Sequence, residues 1–190
     1  MDNSLLNRQI EIFFFNPKTS IQPPNEYGVL YLLRRDVYRC LGYNTDTWIV
    51  DRESIIWPGA MTVLAGIDLL SKFYKGDDSP NGVGQRFKDY YVKYVDSQNS
   101  EIIYQLRNSL LHSFGLLSKT KAKTYSFSVL ANHDRLVEQY SDTNYKIDLF
   151  TLWDRFEESI DKYKIDLIDN DLLKTKFMTM FKFYGAVKIR

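Results

Sequence analysis

The chain has little with which to cross-link itself. Cys40 is the only cysteine among 190 residues, so an intramolecular disulfide is excluded and a thiolate zinc site cannot be assembled. Histidine is nearly as scarce. His112 and His133 are the two in the chain, and neither has a second His or Cys at ligand spacing, which removes an imidazole zinc site as well. No sign of charge dominates, with 25 basic against 24 acidic residues and a net charge of +1. That balance argues against a protein that grips long nucleic acid by bulk charge and leaves room only for a local basic site. Apolar runs fall short of the ~18 to 20 residues a membrane helix needs. Met1-Asp2-Asn3-Ser4 lacks the basic region and apolar run of a signal peptide. The expectation is a cytoplasmic protein with no membrane contact.

What is present is material for a core. Hydrophobic residues make up 44% of the chain and aromatic residues 15%, enough for one folded domain over residues 1–190. The pattern is mainly α. Ile10–Phe15 reads as a short strand or extended segment. Asn16–Asn25 holds three of the five prolines (Pro17, Pro23, Pro24) and reads as a loop. Helical spacing of Leu30, Leu33, Arg34 and Val37 predicts a helix over Glu26–Leu41, closed by Gly42. Pro58-Gly59 marks a turn, and a helix over Ala60–Lys75 buries Val63, Leu64, Ile67 and Leu70. Gly66 costs this helix ~1 kcal/mol relative to alanine, a cost that close packing against a neighbour would explain. Residues 76–82 form a loop rich in Gly, Asp and Pro. Helices follow over Val83–Val95 and, capped by Asn99 or Ser100, over Glu101–His112. Gly115 stands where a left-handed residue is often needed.

Periodicity then changes. Tyr125–Val129 and Tyr145–Leu149 alternate, which predicts two strands paired as a β-hairpin within 123–150. Helices over Phe150–Tyr163 and Asn170–Tyr184 complete the chain. Asp166, Asp169 and Asp171 cluster at the start of the last one, where capping by Asp169 accounts for them without a metal. Gly82-Val83-Gly84 lacks the spacing and the Lys-Ser/Thr ending of a phosphate loop.

One segment carries chemistry. Leu106-Arg107-Asn108-Ser109-Leu110-Leu111-His112 sets three polar groups into an apolar helical pattern. Arginine stays charged and holds phosphate oxygens with a planar fork. Histidine, with a reference pKa of ~6.5, exchanges protons near neutrality. Together they suit phosphodiester cleavage in RNA, where the 2′-hydroxyl supplies the nucleophile. Asn108 and His112 lie four apart and share a face. Arg107 and His112 lie five apart, which at ~100° per residue turns them about 140° away from each other on a straight helix. Residues 84–123 carry seven basic and three acidic residues, an excess of four that favours a phosphate ligand.

The stretches Gly66–Phe73, Val83–Phe87 and Tyr104–Leu116 resemble the core of the HEPN superfamily, most closely its bacterial, plasmid-encoded group. The resemblance covers about a third of the chain, within 60–117. It rests on Arg107, Asn108 and His112, which match the shortest form of the family's signature of Arg, four to six residues, then His. It implies a helical bundle extended by the 123–150 segment, and a metal-independent endoribonuclease that leaves 2′,3′-cyclic phosphate ends and needs no cofactor. It implies a homodimer in which two signature segments meet, with His112 moving a proton, Arg107 contacting phosphate and Asn108 supporting them. A toxin or defence role, with a separate antitoxin or inhibitor protein, belongs to the same expectation. Some members of the family are silent modules that bind RNA or a protein partner. Tyr91, Lys119 and His133 are candidate substrate contacts, Tyr91 by stacking on bases. Core packing is the expected use of most tyrosines, and a loop position that of His133.

Overall fold

The structure is a computed structural model and describes residues 3–18 and 26–188. Helix α1 spans Asn3–Phe13, so Ile10–Phe13 is helical rather than extended. Leu6, Ile10 and Phe13 all face the core. Their spacing of four and three is a helical stripe that begins upstream of the apolar run, and six residues inside that run could not reveal it. Of the expected loop at 16–25, residues 19–25 lie outside the described residues. Strand β1, Glu26–Gly28, then precedes helix α2, Val29–Cys40.

Helix α3 spans Ile56–Lys75 and begins four residues earlier than its apolar stripe suggests. Pro58 and Gly59 do not form a turn. They sit in its first helical turn, where backbone N–H groups lack intrahelical acceptors and proline loses nothing. Gly76 closes the helix at φ 71°, a left-handed geometry that glycine adopts without a Cβ clash. Helix α4, Val83–Tyr90, continues into a π-helical turn over Tyr91–Val95, closed by the Asp96 N–H donating to the Tyr91 carbonyl at 3.0 Å. Tyr90, Tyr91 and Tyr94 are all buried there.

Helix α5, Ser100–Ser113, carries the Arg107 segment. Asn99 takes the N-cap position but at φ 60°, with no side-chain capping bond. At the other end the left-handed residue is Phe114, at φ 48°, not Gly115.

The sheet departs most from expectation. Strands β2 (Leu117–Lys119), β3 (Thr124–Leu130), β4 (Val137–Gln139) and β5 (Asn144–Asp148) pair in the order β2-β3-β5-β4. β3 and β5 are neighbours but run parallel, with Phe127 opposite Tyr145 and Val129 opposite Ile147. They are not a hairpin. Alternation identifies a strand with one buried face but carries no direction. The chain between them makes β4, which pairs antiparallel on the far side of β5. Helix α6 (Leu149–Asp169) follows, capped by Asp148, whose carboxylate accepts from the Thr151 N–H at 2.8 Å. Helix α7 (Asp171–Tyr184) is capped by Asn170 rather than Asp169, through the Leu173 N–H at 3.1 Å. Strand β6 (Ala186–Lys188) closes on β1.

The fold is mainly α, with α3 at its centre against α2, α4, α5, α6 and α7. At Gly66 α3 packs closely against α6 and α2. A Cβ there would lie 2.5 Å from Phe156 and 2.9 Å from Leu33. Cys40 is half-buried, and burial pushes its thiol up, away from the reactive thiolate. No helix among the described residues is long and apolar enough to cross a membrane.

Candidate active site at the end of α5

Arg107 is fixed by its place on α5. The residue faces α3 among Ile103, Leu106 and Leu110, and its side chain is 10% exposed. A guanidinium so placed needs a counter-charge. Asp68 of α3 supplies it, accepting from Nη2 at 3.0 Å with its own side chain 16% exposed. The pair is held by one hydrogen bond rather than two. Arg107 Nε and Asp68 Oδ1 are buried without hydrogen-bond partners among the described residues.

The other end of the fork turns the opposite way. Arg107 Nη1 lies 3.2 Å from Asn108 Oδ1 and 2.8 Å from His112 Nε2. The angular separation on the helix is therefore overcome within one chain. The Arg107 backbone faces the core, while its long side chain carries Nη1 around to the ridge that Asn108 and His112 share. A guanidinium can only donate. His112 Nε2 must then be the accepting nitrogen, which puts the proton of the neutral ring on Nδ1.

His112 is exposed and Asn108 half-buried. Both line a cleft of about 470 Å³, walled on one side by α5 and on the other by β2 and the turn after it. Gln105 ties the walls together. It is buried, donates to Glu101 at 2.7 Å and accepts from the Ser118 hydroxyl at 2.6 Å. That link sets Lys119 on the rim of the same cleft as Asn108 and His112.

The basic excess of residues 84–123 is largely spent elsewhere. Arg86, Lys88, Lys93 and Arg107 pair with Asp77, Glu101, Asp166 and Asp68, three of which lie outside that window. Asp166, placed by the sequence in a helix-capping cluster, instead holds Lys93 and accepts from the Tyr94 hydroxyl at 2.9 Å. The Lys93 hydrogen bond, then the one from Tyr94, keep its carboxyl below the usual range. Lys119 and Lys121 form no salt bridge among the described residues, and Lys119, at the end of β2, is the one that lines the cleft.

Two further candidates lie apart from this cleft. Tyr91 is fully buried and stacked on Phe87 at 6.2 Å, its hydroxyl has no hydrogen-bond partner among the described residues, and burial pushes its pKa up. It belongs to the core and cannot stack on a base. His133 sits at φ 53° on the loop before β4, against Phe150 and 3.4 Å from Asp154, and lines a different cleft. The structure thus brings together Arg107, Asn108, His112 and Lys119, and separates Tyr91 and His133 from them.

Asp68 is the residue that sequence reasoning missed. Its signal was available, because it is the single acidic residue of α3 and lies beside a buried apolar stripe. Among the described residues no group of three or more His, Cys, Asp or Glu side chains is placed to hold a metal ion. Compared with family models, curated proteins and solved structures, the chain finds no match in any of the three.

Proposed function

We propose that the chain is a HEPN-type, metal-independent endoribonuclease acting as a homodimer, in a toxin or defence role. The observation that carries this reading is the 2.8 Å contact between Arg107 Nη1 and His112 Nε2 on an open cleft. In the free chain the guanidinium rests on the imidazole lone pair. A scissile phosphate offers Nη1 a charged acceptor in its place, while Nη2 stays on Asp68. Nε2 is then released to take the proton of the RNA 2′-hydroxyl. The 2′-oxygen attacks phosphorus and the P–O5′ bond breaks. Arg107 meets the charge on the non-bridging oxygens, and an imidazolium gives the leaving 5′-oxygen its proton. The products are a 2′,3′-cyclic phosphate and a 5′-hydroxyl. His112 of a second copy serves as that acid when two clefts face each other. Phe114 and Leu117, 71% and 50% exposed beside the cleft, give such an interface apolar surface to bury.

The test is cleavage of labelled total RNA in EDTA by wild type, R107A and H112A, each first shown to be a folded dimer. Wild type is expected to leave cyclic-phosphate ends. His112→Ala is expected to slow cleavage by roughly 10²- to 10⁴-fold, the usual worth of a general acid or base. Equal rates for wild type and H112A would remove the reading. A catalytically silent dimer that binds RNA or a protein partner is the second reading. It is favoured by the burial of Arg107 and the neutralisation of its charge by Asp68. RNA binding without cleavage by wild type would establish it.

A further inference from the structure

The cleft that His133 lines is larger, about 560 Å³, and chemically unlike the first. It lies between α2, the segment that follows it, and α6. One wall is aromatic. Tyr38 meets Tyr43, Trp48 and Trp153 edge to face at 5.4, 5.3 and 4.9 Å. This wall is stiff, because the Tyr38 hydroxyl donates to Glu157 at 3.4 Å and Arg34 holds the same carboxylate through Nε at 2.8 Å. The other wall is acidic, with Asp154, Glu157 and Glu158 of α6. Arg34 neutralises Glu157 and Lys162 pairs with Glu158. Asp154 has no Lys or Arg partner among the described residues, and His133 is its one ionic neighbour.

Something cationic already occupies the aromatic wall. The ammonium of Lys18 stands 4.5 Å from the Tyr38 ring centre and 4.8 Å from that of Tyr43. Both distances are inside the ~6 Å range over which a ring quadrupole attracts a cation. One lysine head cannot fill a cavity of this size, which is within the usual range for small-ligand sites. Leu41, Val50 and Phe150 supply apolar surface for a ligand body. We propose that this cleft binds an alkylammonium group, its charged head between the Tyr38–Tyr43 wall and Asp154, and that Lys18 holds that place until the ligand displaces it. The proposal is independent of the ribonuclease reading, since it uses none of Arg107, Asn108 or His112.

The source of the amine is either a free aliphatic amine or the lysine side chain of a peptide, and two probes separate them. Cadaverine and Nα-acetyl-lysine methylamide are titrated into the full chain by calorimetry, with tryptophan fluorescence as a second readout from Trp48 and Trp153. Lys18→Ala removes the internal competitor and is expected to bind the better probe about 3- to 10-fold tighter than wild type does. In the K18A background, Tyr43→Leu and Asp154→Asn are each expected to weaken binding several-fold, and pentanol, the uncharged analogue, is expected not to bind. Asp154 is exposed, so D154N keeps the test valid even where Y43L unfolds. Stronger binding of cadaverine assigns the site to free amines, and stronger binding of the lysine amide to a peptide. The proposal is overturned by absence of saturable binding to folded K18A, by equal affinity of K18A and wild type, or by D154N binding as K18A does.

Discussion

Removing the carboxylate of Asp68 tests both the packing and the proposed chemistry. Asp68→Ala leaves the Arg107 guanidinium in a site where its side chain is 10% exposed. Breaking a buried ion pair by deleting one partner costs ~3–5 kcal/mol, because the surviving charge is left uncompensated. Neither side chain is fully sealed and a single hydrogen bond joins them, so about 3 kcal/mol, the low end, is the expected loss. For a chain of this length that lowers Tm by roughly 6–12 °C. Asp68→Asn keeps an acceptor for Nη2 and removes only the charge, so its cost is expected to be about half as large. Replacing both partners, as D68L/R107M, removes the charge and the need for it together, and is expected to come within ~1 kcal/mol of wild type. Urea unfolding followed by tryptophan fluorescence measures these proteins together with the single variants D68L and R107M. The cycle of wild type, D68L, R107M and D68L/R107M is expected to show a coupling of ~2 kcal/mol or more. Additive costs, or an alanine variant as stable as wild type, would refute the account of why Arg107 can be buried at all. In the cleavage assay D68N is expected to lose rate while remaining folded, since Nη1 can move to phosphate in register only while Nη2 is anchored.

Three further outcomes follow from other contacts. Gly66→Ala improves intrinsic helix propensity by ~1 kcal/mol but drives a methyl into Phe156 and Leu33, an overpacking cost of ~1–3 kcal/mol; a lower urea midpoint is expected, and a higher one would show that the α2–α3–α6 contact is looser than described. Hydrogen bonds from Lys72 and then Tyr184 hold the Asp78 carboxyl below its usual range. Because the folded value is the lower one, this stabilisation is complete above an unfolded pKa of ~3.9 and fades as pH falls through the folded value. The stability gap between wild type and D78N is therefore expected to be constant from neutrality to about pH 5 and to shrink below about pH 4, with a gap unchanged into acid counting against the contact. Lys119→Ala is expected to weaken RNA binding and to flatten the dependence of log K on log salt by ~0.7, one phosphate contact on a single strand; an unchanged slope would remove Lys119 from the cleft's contacts.

The helices were legible because their information is local. The stripes of α2 and α3 recur at three and four residues, and Leu30, Val37, Val63, Leu64, Ile67 and Leu70 are all found in the core. What failed was information carried across the chain. The strand segments of β3 and β5 could be found from alternation, but their parallel pairing depends on where β4 goes, and no residue within either strand records that. The same limit applies to the capping of α7. Asp169 and Asn170 are both competent caps, and only the backbone path decides that Asn170 meets the Leu173 N–H. Phe114 rather than Gly115 takes the left-handed turn directly after Ser113, and periodicity does not resolve which residue past the helix does so.

The candidate site divides along the same line. Asn108 and His112 share a face by counting alone. Arg107 could not be placed by counting, because angular position describes a Cβ and not the end of a long side chain. Its guanidinium lies where its partners are, and the partner that decides this, Asp68, stands 39 residues earlier. A carboxylate on the flank of a buried helix is a demand for a cation, and an arginine buried on another helix is a demand for an anion. Each was visible by itself, as the one acid of α3 and the one arginine of α5. Matching such unmet demands between helices is a constraint that helical spacing omits. Here it accounts for how the Nη1 end of the fork comes to rest on His112.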